Sequence, residues 1–293
     1  MTHTVNWSDH VSAGWFVVRN ALAEDRVKDD VTTSSLGIPA DDESNCYVKA
    51  REELIVAGWF LLEQVFSELS ATSDRSVPEI QQIISDGSRV LPGGSIGYLH
   101  GSADLLLRGE RVALNLLCHL SGIATLTASY VEAVKGTGVE ILDTRKTVPC
   151  LRALEKYAVR VGGGVNHRFN LAELAMVKDN HIAVAGDASK LHSIIRRIRE
   201  KGVQIEVEVD SVTQLKEVLK EKPDRILLDN MNPEMLIEAV KAASGSGIYL
   251  EASGGITIEN VRTVASTGVD GISSGALTHS AGSVDIGFDW GEK

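Results

Sequence analysis

Between Ile141 and His181 the chain places seven lysines and arginines against four acidic residues, although its formal net charge is -11. Their positions say more than their number. Arg145 and Lys146 directly follow the β-rich run 139–144, His167 and Arg168 follow a glycine-rich turn, and Lys178 closes the apolar run 174–177. Cations that recur just past apolar runs aim several strand ends at one place. In parallel α/β folds that place is where ligands bind, and a cationic one fits an anionic substrate.

Carboxylates recur at comparable positions. Glu206 and Glu208 alternate through Ile205-Glu206-Val207-Glu208-Val209 and so share one face of a strand, which in a barrel is the lumen. Asp229-Asn230 closes RILLDN, and Glu251 closes the run before Ala252-Ser253. Carboxylates at neighbouring strand ends can hold Mg²⁺, a hard cation that takes oxygen ligands and bridges to substrate phosphates. An Asp or Glu in such a place can equally cap the following helix, and both readings stand. Ser253-Gly254-Gly255 and Ser273-Ser274-Gly275 follow the last two runs, where backbone N–H groups of glycine loops cradle phosphate. Gly162-Gly163-Gly164 lacks the spacing of a dinucleotide fingerprint and reads as a tight turn, or second as a flexible loop.

His167, beside Arg168, either donates to a substrate carboxylate or supports its neighbours structurally. His181 buttresses the loop after Lys178. His100, His119 and His279 have no partner pattern, and neither an HExxH zinc motif nor a nucleophile elbow is present. Cys150, near the basic cluster, reads as packing. An oxygen-ligand metal site, paired phosphate loops and about four cations without a nucleophile suit transfer of a phosphorylated group, with catalysis by positioning and electrostatics.

These groups need a scaffold. At 293 residues and 43% hydrophobic, the chain fits one large α/β domain with a smaller companion. A pI near 5.2 argues against nucleic-acid or membrane-surface partners, so the anion site is a local exception. Three cysteines without CxxC spacing indicate neither a disulfide framework nor a zinc knuckle, and the N-terminus lacks signal-peptide character. A soluble protein of the reducing cytoplasm is expected. The first part reads as helix over 11–30, strand or hairpin over 47–57, helix over 59–69, then strands around Asp86-Gly87 and Gly93-Gly94, a small α+β unit. Residues 109–134 read as a long helix or helix pair at the joint. Seven short β-branched runs follow, at 139–143, 158–161, 174–177, 205–209, 225–228, 248–250 and 269–272, alternating with helix candidates at 189–201, 211–220, 233–243 and 258–267. This alternation predicts a closed or nearly closed parallel barrel, with the 283–290 tail returning to the first domain.

The runs DTRKTVP, KYAVRVGGGVNHRFNL, MVKDNHI, EVEVD, LLDNM, EASGGI and GVDGISSGALTHS, with GERVALNLLCHLSGIAT, resemble the quinolinate phosphoribosyltransferase family in order from about Val48 onward. One departure is Val148-Pro149-Cys150, where the family has Thr-Pro-Gly after DTRK-Thr. The resemblance implies an incomplete, TIM-like α/β barrel over 116–281 and an N-terminal α+β sandwich domain over 1–115 joined by the tail 282–293. It further implies a homodimer, with higher assembly open, that converts quinolinate and phosphoribosyl pyrophosphate to nicotinate mononucleotide, pyrophosphate and carbon dioxide. By position, Arg145, His167, Arg168 and Lys178 would bind the two carboxylates of quinolinate, with Arg111 reaching in from the neighbouring subunit. Lys146 would contact the pyrophosphate, Glu208 and Asp229 the ribose and Mg²⁺, and Ser253, Gly254, Gly255, Ser274 and Gly275 the 5-phosphate. Rival readings are a related transferase acting on a monoacid such as nicotinate, and a non-catalytic barrel binding a phosphorylated metabolite.

Overall fold

The computed structural model describes residues 6, 8–39, 42–178, 180–181 and 190–291. Asp179 and Ile182 of the MVKDNHI run and Ser189, the expected start of a helix, lie outside them. The chain divides into two compact units: Met1–Ala128 with Thr147–Gly163 and Ser280–Lys293, and Ser129–Lys146 with Gly164–His279. The division falls at 128/129 rather than 115/116, inside the long helix, and assigns 147–163 to the first unit.

In the first unit, helix α1 (His10–Glu24) is started by Asp9, whose carboxylate accepts from the N–H groups of Val11 and Ser12. A four-stranded antiparallel sheet has the order β12 (Ile286–Trp290), β1 (Glu43–Ala50), β5 (Ser95–Ser102), β3 (Glu79–Gln82). The returning tail is thus an edge strand, with Val48 opposite Phe288. Of the strand or hairpin expected over 47–57, the strand forms as far as Ala50. β2 (Leu54–Ile55) pairs with β4 (Arg89–Val90) and not with β1, while Glu52 between them accepts from the N–H of Asp285. Helix α3 (Trp59–Ala71) buries its apolar stripe of Leu62, Val65, Phe66 and Leu69.

Helix α4 (Ala103–Ala133) is a single helix through both Gly109 and Gly122. It is long and apolar enough to cross a membrane by composition, yet 56% of its most apolar window is buried inside the protein. Its polar residues serve neighbouring backbone: Thr125 accepts from the N–H of Ile55 at 2.8 Å and Ser121 from that of Ala57 at 3.0 Å. Gly122 is a glycine because a Cβ there would overlap the carbonyl oxygen of Gly282.

One expected strand is a helix: 158–161 forms the end of α5 (Arg152–Val161). Its buried residues, Ala153, Leu154, Ala158 and Val159, recur at helical spacing, and the β-branched Val159 and Val161 only imitate a strand. Glycines 162–164 follow as the tight turn, with Gly163 at φ +90 closing this segment of the first unit.

In the second unit, a parallel sheet runs in the order β6 (Glu140–Leu142), β11 (Gly271–Ser273), β10 (Tyr249–Ser253), β9 (Arg225–Asp229), β8 (Gln204–Val209), β7 (Leu174–Val177). Among the described residues it has six strands, not seven, and β6 and β7 do not meet, so the barrel is incomplete. Val165 lies beside the open edge, bridged to Leu142, with its N–H on Ile141 at 2.8 Å. Helices α6 (Leu191–Arg199), α7 (Val212–Val218), α8 (Pro233–Ala243) and α9 (Val261–Ala265) alternate with the strands, followed by the short α10 (Ala276–His279). Every pairing is parallel, so the strand C-termini share one end.

Candidate active site

At that end lies a cavity of about 530 Å³ lined by Thr144, Arg145, Lys146, His167, Arg168, Met176, Lys178, Glu208, Leu227, Asp229, Asn230, Glu251, Ser253, Gly254, Gly255 and Ser273. Ten of the positions expected from the sequence are among them. Arg111 is exposed on α4 and belongs to the first unit. Ser274 is 5% exposed and turned inward: its hydroxyl donates to Ile256 at 3.3 Å and its N–H to Leu142 at 3.1 Å. Ser273, one residue earlier, lines the cavity in its place. Gly275 packs against the Lys146 and His279 side chains: a Cβ would stand 2.9 Å from both Lys146 Cδ and His279 Nε2, so a larger residue would have to displace them.

Strand register sets the carboxylates. Met176 stands opposite Glu206 and Glu206 opposite Arg225, while Glu208 pairs with Leu227, so Glu206 and Glu208 project from the same face two residues apart. Glu208 forms an ion pair with Lys178, just past the end of the adjacent strand β7. Neither Glu208 nor Asp229 caps a helix: Ser211 caps α7 and Asn232 caps α8. Asp229 instead accepts from the Asn230 amide at 2.8 Å. Two half-exposed carboxylates facing one cavity make a hard-oxygen set that fits Mg²⁺, with the remaining positions left to substrate oxygens and water.

The cations are held by the backbone around them. The buried Asp143 accepts from the N–H of His167 at 2.9 Å and from the Asn166 amide at 2.6 Å, which fixes the turn carrying Arg168. The Arg168 guanidinium donates to the carbonyl of Leu174 at 2.8 Å and touches the sulfur of Met176 at 3.7 Å. Burial, and then the nearby Arg145 charge, lower its pKa, so two guanidinium groups approach one another here. Like charges that converge beside a cavity are suited to receive an anion. The Lys146 carbonyl accepts from the Thr278 hydroxyl at 2.7 Å, tying the loop after β6 to α10. His181 buttresses Lys178: its Nδ1 accepts the Lys178 N–H at 2.9 Å.

His167 lines the cavity and is also engaged by its protein neighbours. Its Nδ1 accepts from the Arg168 N–H at 2.7 Å, and its Nε2 lies 3.0 Å from Glu206 and 3.4 Å from Glu251. Both nitrogens face protein, which is the supporting geometry. Burial pulls its pKa down, but the bonds to Glu206 and Glu251 more than reverse this, to about 9. A second proton would sit on Nδ1, so protonation exchanges the Arg168 bond for charge balance against two carboxylates.

The glycine loops are knitted together at the far side. Gly254 has φ +90, and a Cβ there would overlap the Asn230 side chain, so both conformation and space require glycine. Ser253 and Ser273 touch through their hydroxyls at 3.0 Å. The following helices are short, α10 only four residues, so loop N–H groups rather than a helix dipole are what these segments present.

This is the site of an enzyme acting on a small, multiply charged anion: an α/β barrel end with four cations, paired carboxylates and glycine loops. The chain belongs to the quinolinate phosphoribosyltransferase family, matching its N-terminal domain model over 30–121 and its C-terminal domain model over 123–289. It is 42% identical over 277 residues to nicotinate-nucleotide pyrophosphorylase (carboxylating) of Mycobacterium leprae, covering 93% of this chain and 95% of that one. The solved nicotinate-nucleotide pyrophosphorylase of Ehrlichia chaffeensis superposes with a TM-score of 0.86 at 39% identity, over 94% of this chain and 97% of that one. That from Francisella tularensis gives 0.88 at 33% identity, over 96% and 97%.

Proposed function

We propose that this protein transfers the phosphoribosyl group of phosphoribosyl pyrophosphate to quinolinate with decarboxylation, giving nicotinate mononucleotide, pyrophosphate and carbon dioxide for NAD biosynthesis. The observation that carries this is the convergence of Arg145, Lys146, Arg168 and Lys178 on one cavity beside Glu208 and Asp229. A monoacid would need fewer cations; a diacid uses Arg145, Arg168 and Lys178 together with Arg111, and Lys146 is left for the pyrophosphate.

Arg145, Arg168 and Lys178 receive the two carboxylates, with Arg111 supplied by the neighbouring subunit of a homodimer. Lys146 contacts the pyrophosphate, and the loops at Ser253-Gly254-Gly255 and Ser273 to Gly275 take the 5-phosphate. Glu208 and Asp229 would hold Mg²⁺, which when bound neutralises charge on the leaving pyrophosphate. As the C1–oxygen bond breaks, positive charge grows on the ribose, and the same two carboxylates stabilise it. The pyridine nitrogen forms the new bond to C1. When the carboxylate next to nitrogen departs as carbon dioxide, the electron pair of the broken bond stays on that ring carbon, stabilised by the adjacent cationic nitrogen, and takes up a proton from water to give nicotinate mononucleotide. Asp143, through the His167 N–H and the Asn166 amide, keeps the Arg168 turn in place. A reducing cytoplasm suits the free cysteines Cys46, Cys118 and Cys150. Formation of nicotinate mononucleotide from quinolinate, with nicotinate as the competing substrate, tests the assignment. Equal use of nicotinate would overturn the diacid reading.

A further inference from the structure

Beneath the cations, the inner face of the parallel sheet carries charges that this chemistry does not use. Register sets Arg225 between Glu206 on β8 and Tyr249 on β10. Its Nη2 donates to Glu251 at 2.7 Å, its Nε lies 3.8 Å from Glu206, and its guanidinium carbon stands 4.2 Å from the Tyr249 ring centroid. The Tyr249 hydroxyl in turn donates to Glu140 at 2.7 Å. Gly271 makes room for that hydroxyl, which a side chain at 271 would meet.

Glu206 and Glu251 are both 0% exposed, and the ligand atoms of His167, Glu206 and Glu251 lie within 4.8 Å of one another. Two carboxylates so close and so dry demand positive charge, because an uncompensated buried ion is strongly destabilising. Arg225 supplies it from below and His167 from above. The Arg168 guanidinium is within the electrostatic reach of Glu206. Were Arg225 lost, the surplus negative charge would draw Arg168 down, away from the cavity.

We propose that Arg225 is a positioning residue for the diacid: by neutralising Glu251 and Glu206 it keeps them from capturing Arg168, whose guanidinium stays with the substrate. This rests on quinolinate being the substrate, and its test separates the two claims. Steady-state kinetics of the full-length enzyme are measured with each substrate varied in turn. Arg225→Met raises the quinolinate KM by about tenfold or more, the effect of losing one charged contact, and leaves the phosphoribosyl pyrophosphate KM within about twofold. Adding Glu251→Gln to Arg225→Met restores charge balance and brings the quinolinate KM back to within about threefold of wild type. Arg225→Gln carries the same expectation and replaces the methionine variant if that fails to fold. An unchanged quinolinate KM overturns the proposal. So does a fall in kcat and melting temperature with both KM values unmoved and no recovery in the double variant, the pattern of a residue that only holds the fold. Wild-type enzyme inert to quinolinate removes the functional reading and this one together, whereas active wild type with an indifferent Arg225→Met removes this one alone.

Discussion

Lys178 of the segment after β7 pairs with Glu208 of β8, one register step beyond Val177 opposite Val207. A cation assigned to the diacid and a carboxylate assigned to the ribose therefore neutralise each other before substrate arrives. On the proposed assignment, quinolinate draws Lys178 from Glu208 and frees Glu208 for the charge that develops later. Glu208→Gln should accordingly leave quinolinate affinity unchanged or tighter while lowering kcat by roughly 10²-fold, the scale of one lost transition-state contact. Calorimetric titration beside single-turnover kinetics checks this, and weakened quinolinate binding in the variant would contradict it.

Arg168 reaches the cavity from a turn fixed by Asp143, and its side chain gives little to the core. Arg168→Ala should lower kcat/KM for quinolinate by two to three orders of magnitude, about 3–4 kcal/mol for a lost charged contact, while thermal stability changes little. Near-wild-type turnover would move the diacid site elsewhere.

The His167 pKa sets a direction for stability against pH. It is raised from an ordinary 6.5 to about 9, so the folded state binds the proton more tightly than the unfolded chain. The stabilisation is complete below about 6.5 and disappears as pH rises through about 9. The gap in urea midpoint between wild type and His167→Gln should shrink across that window. A gap that does not change with pH would show that the ring is not charged by Glu206 and Glu251.

Helix propensity alone predicts that Gly122→Ala stabilises α4 by about 1 kcal/mol. The Gly282 carbonyl oxygen occupies the space of that methyl group, and the segment leading to β12 would have to shift. Overpacking of this kind costs roughly 1–3 kcal/mol, so the net effect should be destabilising. A higher denaturation midpoint in Gly122→Ala would reverse this account of how the tail is seated.

What was legible in the sequence follows from where its signals are local. Cations and carboxylates just past β-branched runs identify strand ends, and a parallel sheet gathers those ends, so Arg145, Lys178, Glu208 and Asp229 could be placed together. The choice between metal ligand and helix cap was not legible, because it depends on whether Ser211 and Asn232 take the capping role a few residues later. Val159 and Val161 gave α5 a false strand signal that only its buried stripe corrects. Arg225 left no mark beyond opening an apolar run. A buried charge has meaning only with its partners, and those of Arg225 stand on β8 and β10, 19 and 26 residues away in sequence. His167 reads as a ligand for the same reason: nothing near it in the chain announces Glu206 and Glu251.

The most direct test uses quinolinate labelled at the carboxylate next to nitrogen and follows labelled carbon dioxide, with and without phosphoribosyl pyrophosphate and Mg²⁺. If the cations receive a diacid that decarboxylates only after the ribosyl bond forms, label is released when all three are present and not when phosphoribosyl pyrophosphate is left out. Release without phosphoribosyl pyrophosphate, or none with the complete set, would contradict that account.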